Sequence, residues 1–434
     1  MSVVYITGHR NPDVDSICSA LGYASLKNLT DPANEYVPVR ASHLGDGMKK
    51  LLNEIGITAP PYMSNVYPRV GDVMLAPDIS VDADAPLTDY AAIYRDELPS
   101  AIPVFSKGKY YGLISIDDVT AWAVSELTSG RDRIDVPLIR DVIRPFSGRI
   151  EVSDRFEDGK KMLLSSKRRG LPVFDGDEFK GFVTRRCFLD TPRYNVILVD
   201  HNEQSQSIRG LETANIVEII DHHRLNALKT DLPLFIDAEP LGSTCTIVYR
   251  LYLRNGIRPD TETAKILLTG IITDTLILKS PTTTRADVES AVSLAAICGK
   301  NVEEYGRDIF SHIEGLKTRE PVAAISSDFK IYREQGVRFG IGQCEATSLK
   351  DMDEYIDAYF DGLENVRRVN GLDWAALMIT DVIEERSVLL STSYRAEKHL
   401  QYTKIADHLY DMPDVMSRKK QLLPEMLHCL AVNV

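Results

Sequence analysis

Four short stretches of the chain gather residue types that bind divalent cations: Gly8-His9-Arg10-Asn11-Pro12-Asp13-Val14-Asp15-Ser16, Val199-Asp200-His201-Asn202, Ile220-Asp221-His222-His223-Arg224 and Gly270-Ile271-Ile272-Thr273-Asp274-Thr275. In the first, a turn at Pro12 lets His9, Asp13 and Asp15 converge on one point, a donor set that suits Mn2+ or Co2+. Taken singly, each stretch has a plainer use. Asp13 or Asp15 can cap the helix that follows, adjacent histidines can stand in solvent, and Asp274 can simply end a helix or a strand. What joins the four is their repeated position at the ends of apolar segments, which one sheet can bring together. Carboxylates and imidazoles without cysteine suit a pair of ions about 3.5–4 Å apart, able to share a bridging water as nucleophile and to hold a phosphoryl oxygen for in-line hydrolysis.

The elements that must position them follow from apolar periodicity. Residues 3–7 (VVYIT) read as a buried strand, Gly8 to Pro12 as a turn, and Ile17 to Leu29 as a helix. The same strand-end pattern returns at 196–200, 216–221 and 264–274. Apolar strands alternating with helices predict an α/β fold on a parallel sheet, whose ligands collect beyond the carboxyl ends of the strands. After a helix-prone run at 286–310, residues 315–434 carry strand-like segments at 336–344, 374–380 and 388–393. These predict a smaller α/β domain that closes on a basic loop, Ser417-Arg418-Lys419-Lys420-Gln421.

Between the first and second clusters the chain repeats itself. Asp72-Val73-Met74 returns as Asp141-Val142-Ile143, Pro103-Val104-Phe105 as Pro172-Val173-Phe174, and Gly112-Leu113-Ile114-Ser115 as Gly181-Phe182-Val183-Thr184, all at one offset of 69 residues. A shared register means a duplicated unit, and two copies make a pair rather than a solenoid. The expected organisation is therefore a first domain split between 1–68 and 191–314, an inserted α+β tandem at 69–190, and a C-terminal domain at 315–434.

Composition narrows the function. The 434 residues, 44% apolar and 26% charged, are those of a folded globular chain of several domains. Fifty basic against 63 acidic residues give a net charge of -13, which disfavours a general nucleic-acid binder. The six cysteines form no C-x-x-C pair and suggest a reducing compartment. No basic leader and no apolar run of about 18 residues is found, so a cytoplasmic location without membrane attachment is expected.

The motifs GHRNPDVDS, VDHN, DHHR, GIITDT and SRKKQ stand in the order expected of the DHH phosphoesterase superfamily, and they resemble those of the manganese- or cobalt-dependent family II inorganic pyrophosphatases. The insert resembles a pair of cystathionine-β-synthase-type (CBS) domains, as in the nucleotide-regulated branch of that family without a further inserted module. The resemblance implies a parallel-sheet DHH domain, a smaller DHHA2-type domain, and two ions per site. One ion would be held by His9, Asp13 and Asp200, the other by Asp15, Asp200, His222 and Asp274. His223 would act on the bridging or leaving oxygen, or else orient His222. Lys330, Arg418 and Lys419 would clamp pyrophosphate, which arrives with Mg2+, as the domains shut; Lys279 and Ser280-Pro281-Thr282 either add phosphate contacts or order their loop. In the insert, Ser115 and Asp118 match the ribose-phosphate motif, Thr184 keeps its hydroxyl in the second copy, and Arg168, Arg169, Arg185 and Arg186 are the implied partners for the phosphates of AMP, ADP or ATP. Cys187 replaces the second copy's aspartate, so the two nucleotide sites should be unequal. A homodimer is implied as well. The competing readings are a DHH phosphodiesterase acting on short oligonucleotides or cyclic dinucleotides, disfavoured by the lack of Gly-Gly-Gly, and a non-catalytic adenylate sensor, which would not need all six proposed ligands.

Overall fold

The computed structural model describes residues 2–432 apart from 131–132, 134, 145–147, 226–229, 231–232, 313–315, 317–318, 347, 382–383 and 385. The chain divides into two units, Met1–Asn65 with Asn195–Val434, and Val66–Tyr194.

In the first unit, β1 (Ser2–Thr7), β2 (Asn34–Val39), β3 (Asn195–Val199), β4 (Asn215–Asp221) and β5 (Phe235–Ala238) form a parallel sheet in the order β5-β4-β3-β1-β2. Val196 to Val199 are fully buried, which is why β3 reads as an unbroken apolar run. Winding proceeds outward in one direction from β1 to β2 and in the other from β3 to β5. The crevice of such a sheet opens where the order reverses, beyond the carboxyl ends of β1 and β3. The helices packed with this sheet in one core include α1 (Val14–Thr30), α2 (Thr244–Arg254), α3 (Thr261–Asp274) and α4 (Arg285–Cys298). The helix-prone run at 286–310 is broken after α4 by Gly299 in the left-handed conformation (φ 65°), and α5 (Val302–Ser311) follows.

One strand expectation is overturned. Residues 264–274 lie in α3, and their fully buried hydrophobic side chains, Ala264, Leu267, Leu268, Ile271 and Ile272, follow helical spacing rather than alternation. A helix buried on most sides is as continuously apolar as a buried strand, and its length and period identify it.

The C-terminal part carries β6 (Phe329–Glu334), β7 (Val337–Ala346), β8 (Trp374–Asp381), β9 (Arg386–Ser391), β10 (Thr403–Ala406) and β11 (Leu409–Pro413) in one sheet, ordered β6-β7-β8-β9-β11-β10. Its three expected strands are β7, β8 and β9. Every residue of β8 is buried because alternate side chains feed two cores: Ala375, Leu377 and Ile379 pack with α6 (Ile356–Val369), while Trp374, Ala376 and Met378 pack with α7 (Leu423–Val432).

The unit Val66–Tyr194 shows the duplication in three dimensions. The hairpin Ile102–Ser106/Lys109–Ile114 recurs as Gly170–Asp175/Glu178–Thr184, with register shifts at Val104/Phe105 and at Val173/Phe174, 69 residues apart. Tyr110 stacks on its own counterpart, Phe179, at 4.2 Å between ring centroids, while Phe105–Phe179, Tyr110–Phe174 and Phe174–Phe179 meet edge-on. One copy alone would leave these rings in water, so the quartet favours pairing. The copies differ afterwards: helix Ile116–Thr128 in the first corresponds to a short turn, Arg185–Phe188, in the second.

Candidate metal centre

The strand-end clusters converge. After β1, the His9 backbone N–H donates to Ser16 Oγ (3.1 Å) and the Arg10 backbone N–H to the Gln206 carbonyl (2.6 Å), which fixes the turn. Gly8 is required there because a Cβ would collide with Ser16 Oγ. Asp13 divides its oxygens: Oδ1 accepts the Ser16 N–H that caps α1 (2.8 Å), while Oδ2 faces His9 Nε2 (3.4 Å). Capping and ligation, alternatives in the sequence, are compatible in one side chain.

Asp200 follows β3 in the left-handed conformation (φ 60°), uncommon for a residue with a side chain. Its buried carboxylate lies between two groups, with Oδ2 3.5 Å from His9 Nε2 and Oδ1 3.5 Å from His222 Nε2. His222 Nδ1 sits 3.0 Å from the Leu241 carbonyl; donation there leaves Nε2 as the ligating nitrogen, 3.4 Å from Asp274 Oδ2. Asp274 is the last residue of α3, where the helix dipole disfavours an anion.

Ligand atoms of His9, Asp13 and Asp200 lie within 4.8 Å of one another, as do those of Asp15, His222 and Asp274 and those of Asp200, His222 and His223. Two features test whether divalent ions fit. Asp200 Oδ2 is buried and, among the described residues, makes no hydrogen bond. Burial, together with the charges of Asp13 and Asp15, raises the carboxyls of Asp200 and Asp274 well above the usual range, so four acids this close cannot all ionise without cations. His9 supplies one substitute: burial opposes its charge, but Asp13 and Asp200 outweigh that and push the imidazole up to about 11. The donor set fits divalent cations.

Several participants had no role assigned from the sequence, although Asp221, Asn202, His201 and Gly270 lie inside its four stretches. Asp221 Oδ1 accepts from the His223 backbone N–H (3.1 Å) and lies 2.9 Å from His223 Nδ1, while its Oδ2 accepts from Asn202 (2.5 Å), so the first residue of Asp-His-His orients the third. Asp15 is cradled by Ser243 and the start of α2. Gly270 makes room beside it, since a Cβ there would collide with Cys245 Sγ and come within 2.8 Å of Asp15 Oδ1. His201 is buried, with burial pushing its imidazole down to about 4 and Nδ1 2.8 Å from the Val199 carbonyl.

The basic segment is not the loop expected. Residues 418–422 form a helical turn capped by Ser417, and Arg418 is buried, donating to the Asp328 carbonyl (2.7 Å) and carboxylate (2.8 Å). A guanidinium that finds backbone and carboxylate acceptors can be interior, which composition does not reveal. Lys419 is exposed and acts electrostatically on His223 and Asp274. Lys330, whose side chain is exposed, joins this basic group: partial desolvation of its amine and the charges of Lys419 and Arg418 lower it. Lys420 donates to the Pro281 carbonyl (2.7 Å), and Ser280 Oγ pairs with Thr282 Oγ1 (2.6 Å), contacts that order the loop after Lys279.

In the inserted unit, Asp118 is buried. Its Oδ2 accepts from Ser115 N–H (2.9 Å) and Oγ (2.7 Å), and its Oδ1 from Arg144 Nε (2.7 Å) and Arg168 Nη1 (3.1 Å). Arg169 pairs with Asp117 at 2.9 Å. Thr184, Arg185 and Arg186 occupy the corresponding place in the second copy, where Thr184 N–H donates to Cys187 Sγ (3.2 Å).

Comparison with known proteins places these features in context. Residues 3–271 match the DHH family N-terminal domain, and residues 307–429 match the DHHA2 domain. The chain is 27% identical to the cobalt-dependent inorganic pyrophosphatase of Clostridium perfringens, over 100% of this chain and 99% of that one. It is 33% identical to the manganese-dependent inorganic pyrophosphatase of Methanothrix thermoacetophila, over 55% of this chain and 78% of that one. Its fold is that of a Methanococcus jannaschii protein described as a family II inorganic pyrophosphatase, with TM-score 0.58 and 24% identity over 98% of this chain and 99% of that one.

Proposed function

The chain belongs to the DHH family, and from that premise we propose that it is an inorganic pyrophosphatase dependent on Mn2+ or Co2+ and regulated by adenine nucleotides. The observation that carries the catalytic reading is Asp200, whose oxygens face one ligand group each and whose Oδ2 is buried without a hydrogen bond. His9, Asp13 and Asp200 would hold one ion; Asp15, Asp200, His222 and Asp274 would hold the other. When bound, such a pair activates water and neutralises phosphoryl oxygens. His223, oriented by Asp221, is the group to move a proton or hydrogen-bond the leaving oxygen. Lys330, Arg418 and Lys419 offset the charge of pyrophosphate, which comes with Mg2+. Arg418 gives a fixed charge anchored on Asp328, and Lys419 an adjustable one.

The test is phosphate release from pyrophosphate by protein stripped of metal and then given Mn2+ or Co2+, beside a short oligonucleotide and a cyclic dinucleotide. Metal-restored pyrophosphate hydrolysis is the expected result; preferential hydrolysis of either nucleotide substrate would return the protein to the phosphodiesterases.

Regulation is read from the Asp118 cluster. Phosphate groups of AMP, ADP or ATP would draw Arg144 and Arg168, freeing the carboxylate for ribose hydroxyls. Ser115 and Arg169 flank that site. The second copy offers Thr184, Arg185 and Arg186 but no carboxylate at Cys187, so calorimetry should find one dominant nucleotide per protomer; two equal sites would contradict the assignment. A homodimer in the cytoplasm completes the reading, supported by the family resemblance and by six free cysteines, and sedimentation of the purified protein checks the stoichiometry.

A further inference from the structure

Ser243 and Thr244 open α2 at the floor of the metal centre, and both are fully buried. The start of that helix is fixed from behind by Asp287, which accepts from the Gly242 backbone N–H (2.9 Å) and from Thr246 Oγ1 (2.6 Å). Towards the centre, Ser243 Oγ and the Cys245 N–H donate to Asp15 Oδ1 (2.6 and 3.1 Å), and the Thr244 N–H donates to Asp15 Oδ2 (2.7 Å). The Thr244 hydroxyl turns the other way and donates to Asp200 Oδ1 (3.0 Å). One residue thus holds a carboxylate of α1 with its backbone and the carboxylate after β3 with its side chain.

The second bond decides how Asp200 is used. A carboxylate can swing about its last torsion, and the left-handed backbone at Asp200 leaves the side chain to be fixed by what it touches. With Oδ1 tied to Thr244 on the His222 side, Oδ2 is left facing His9, the orientation a bridge between two ions needs. We infer that Thr244 is a positioning residue of the metal pair: its hydroxyl fixes the orientation of Asp200, and its N–H fixes Asp15 at a set distance from it. The inference rests on the proposed ligand set. Outer hydrogen-bond partners of this kind change metal affinity by about 10–100-fold when removed.

The experiment compares Thr244→Val, which keeps shape and N–H but loses the hydroxyl, with Thr244→Ser, which keeps the hydroxyl, and with Asp200→Asn, all in the full chain. Mn2+ binding to metal-stripped protein is titrated without pyrophosphate, and the electron paramagnetic resonance of the two-Mn2+ form reports magnetic coupling between the ions. Thr244→Val should bind the weaker ion about 10–100-fold less tightly and lose coupling, while Thr244→Ser stays within about threefold of the parent. Circular dichroism of the metal-free variants reports folding. Should Thr244→Val not fold, Thr244→Ser decides: parental binding supports the role of the hydroxyl, and a loss as large as that of Asp200→Asn refutes it. If Asp200→Asn lost an ion while Thr244→Val matched the parent in affinity and coupling, the inference would fail and the ligand set would stand. If Asp200→Asn itself kept both ions, the ligand set and the inference would fall together.

Discussion

A single carboxylate, Asp200, carries most of the logic of the site. Its two oxygens serve different ligand groups, so Asp200→Asn should weaken both ions and abolish pyrophosphate hydrolysis, because its charge also offsets repulsion between the cations. Metal analysis and turnover on the same preparation check this; a variant with both ions bound and near-parental rate would refute the bridge. His223 is expected to behave differently. Its Nδ1 is engaged with Asp221, and the proposed ligand sets do not include it, so His223→Ala should keep its metal while turnover falls by about 10²–10³, the scale of losing one positioned proton donor or electrostatic contact. Loss of metal in that variant would make His223 a ligand.

Among the elements, α3 shows how packing serves chemistry. Gly270 faces Cys245 Sγ, Asp15 Oδ1 and Cys18 Cβ; Asp15 is held by three donors, and both cysteines are fully buried. Gly270→Ala should therefore cost about 1–3 kcal/mol of stability by overpacking and also reduce Mn2+ affinity. Denaturant titration and metal binding together separate this from a purely structural effect, which would leave affinity unchanged. Beyond Asp274 the chain turns through three consecutive left-handed residues, Leu276, Ile277 and Leu278 (φ 50°, 56° and 65°), each disfavoured for an L-residue with a side chain. Burial of Leu276 and Ile277 and close packing on Gly306 offset that strain and bring Pro281 to Lys420. The helical turn at 418–422 separates two roles: Arg418→Ala should destabilise by about 1–3 kcal/mol as the Asp328 and Ile341 carbonyls lose the buried guanidinium that donates to them, whereas Lys419→Ala, at an exposed position, should leave stability within about 0.5 kcal/mol and raise KM for pyrophosphate. Equal KM values for Lys419→Ala and the parent would remove Lys419 from the clamp.

For the whole molecule, every proposed catalytic residue lies in Met1–Asn65 and Asn195–Val434, and the duplicated hairpins, their cores and the Asp118 cluster lie in Val66–Tyr194. Replacing Val66–Tyr194 by a short linker should therefore yield a pyrophosphatase that no longer responds to AMP, ADP or ATP. Steady-state rates with and without each nucleotide test this. A truncated protein that folds and binds Mn2+ yet hydrolyses nothing would show that the insert takes part in catalysis.

Much of this was legible in the order of residues. His9, Asp13, Asp15, Asp200 and His222 are conspicuous as metal-binding side chains just beyond apolar strands that one parallel sheet brings together, whereas Asp274 reaches the same groups from the end of a helix. The duplicated insert was equally open to reading, since a constant offset of 69 residues is a property of the sequence alone. Tertiary structure decided what periodicity cannot encode. Residues 264–274 are helix rather than strand, and Arg418 is interior because Asp328, 90 residues away, offers it acceptors. Thr244 reaches Asp15 across 229 positions, and Asp118 is closed off by Arg144 and Arg168 from beyond its own hairpin. Apolar patterning reports which face of an element is buried, a local property; a hydrogen bond between distant residues depends on where folded elements meet, and it leaves no trace in the spacing of either partner.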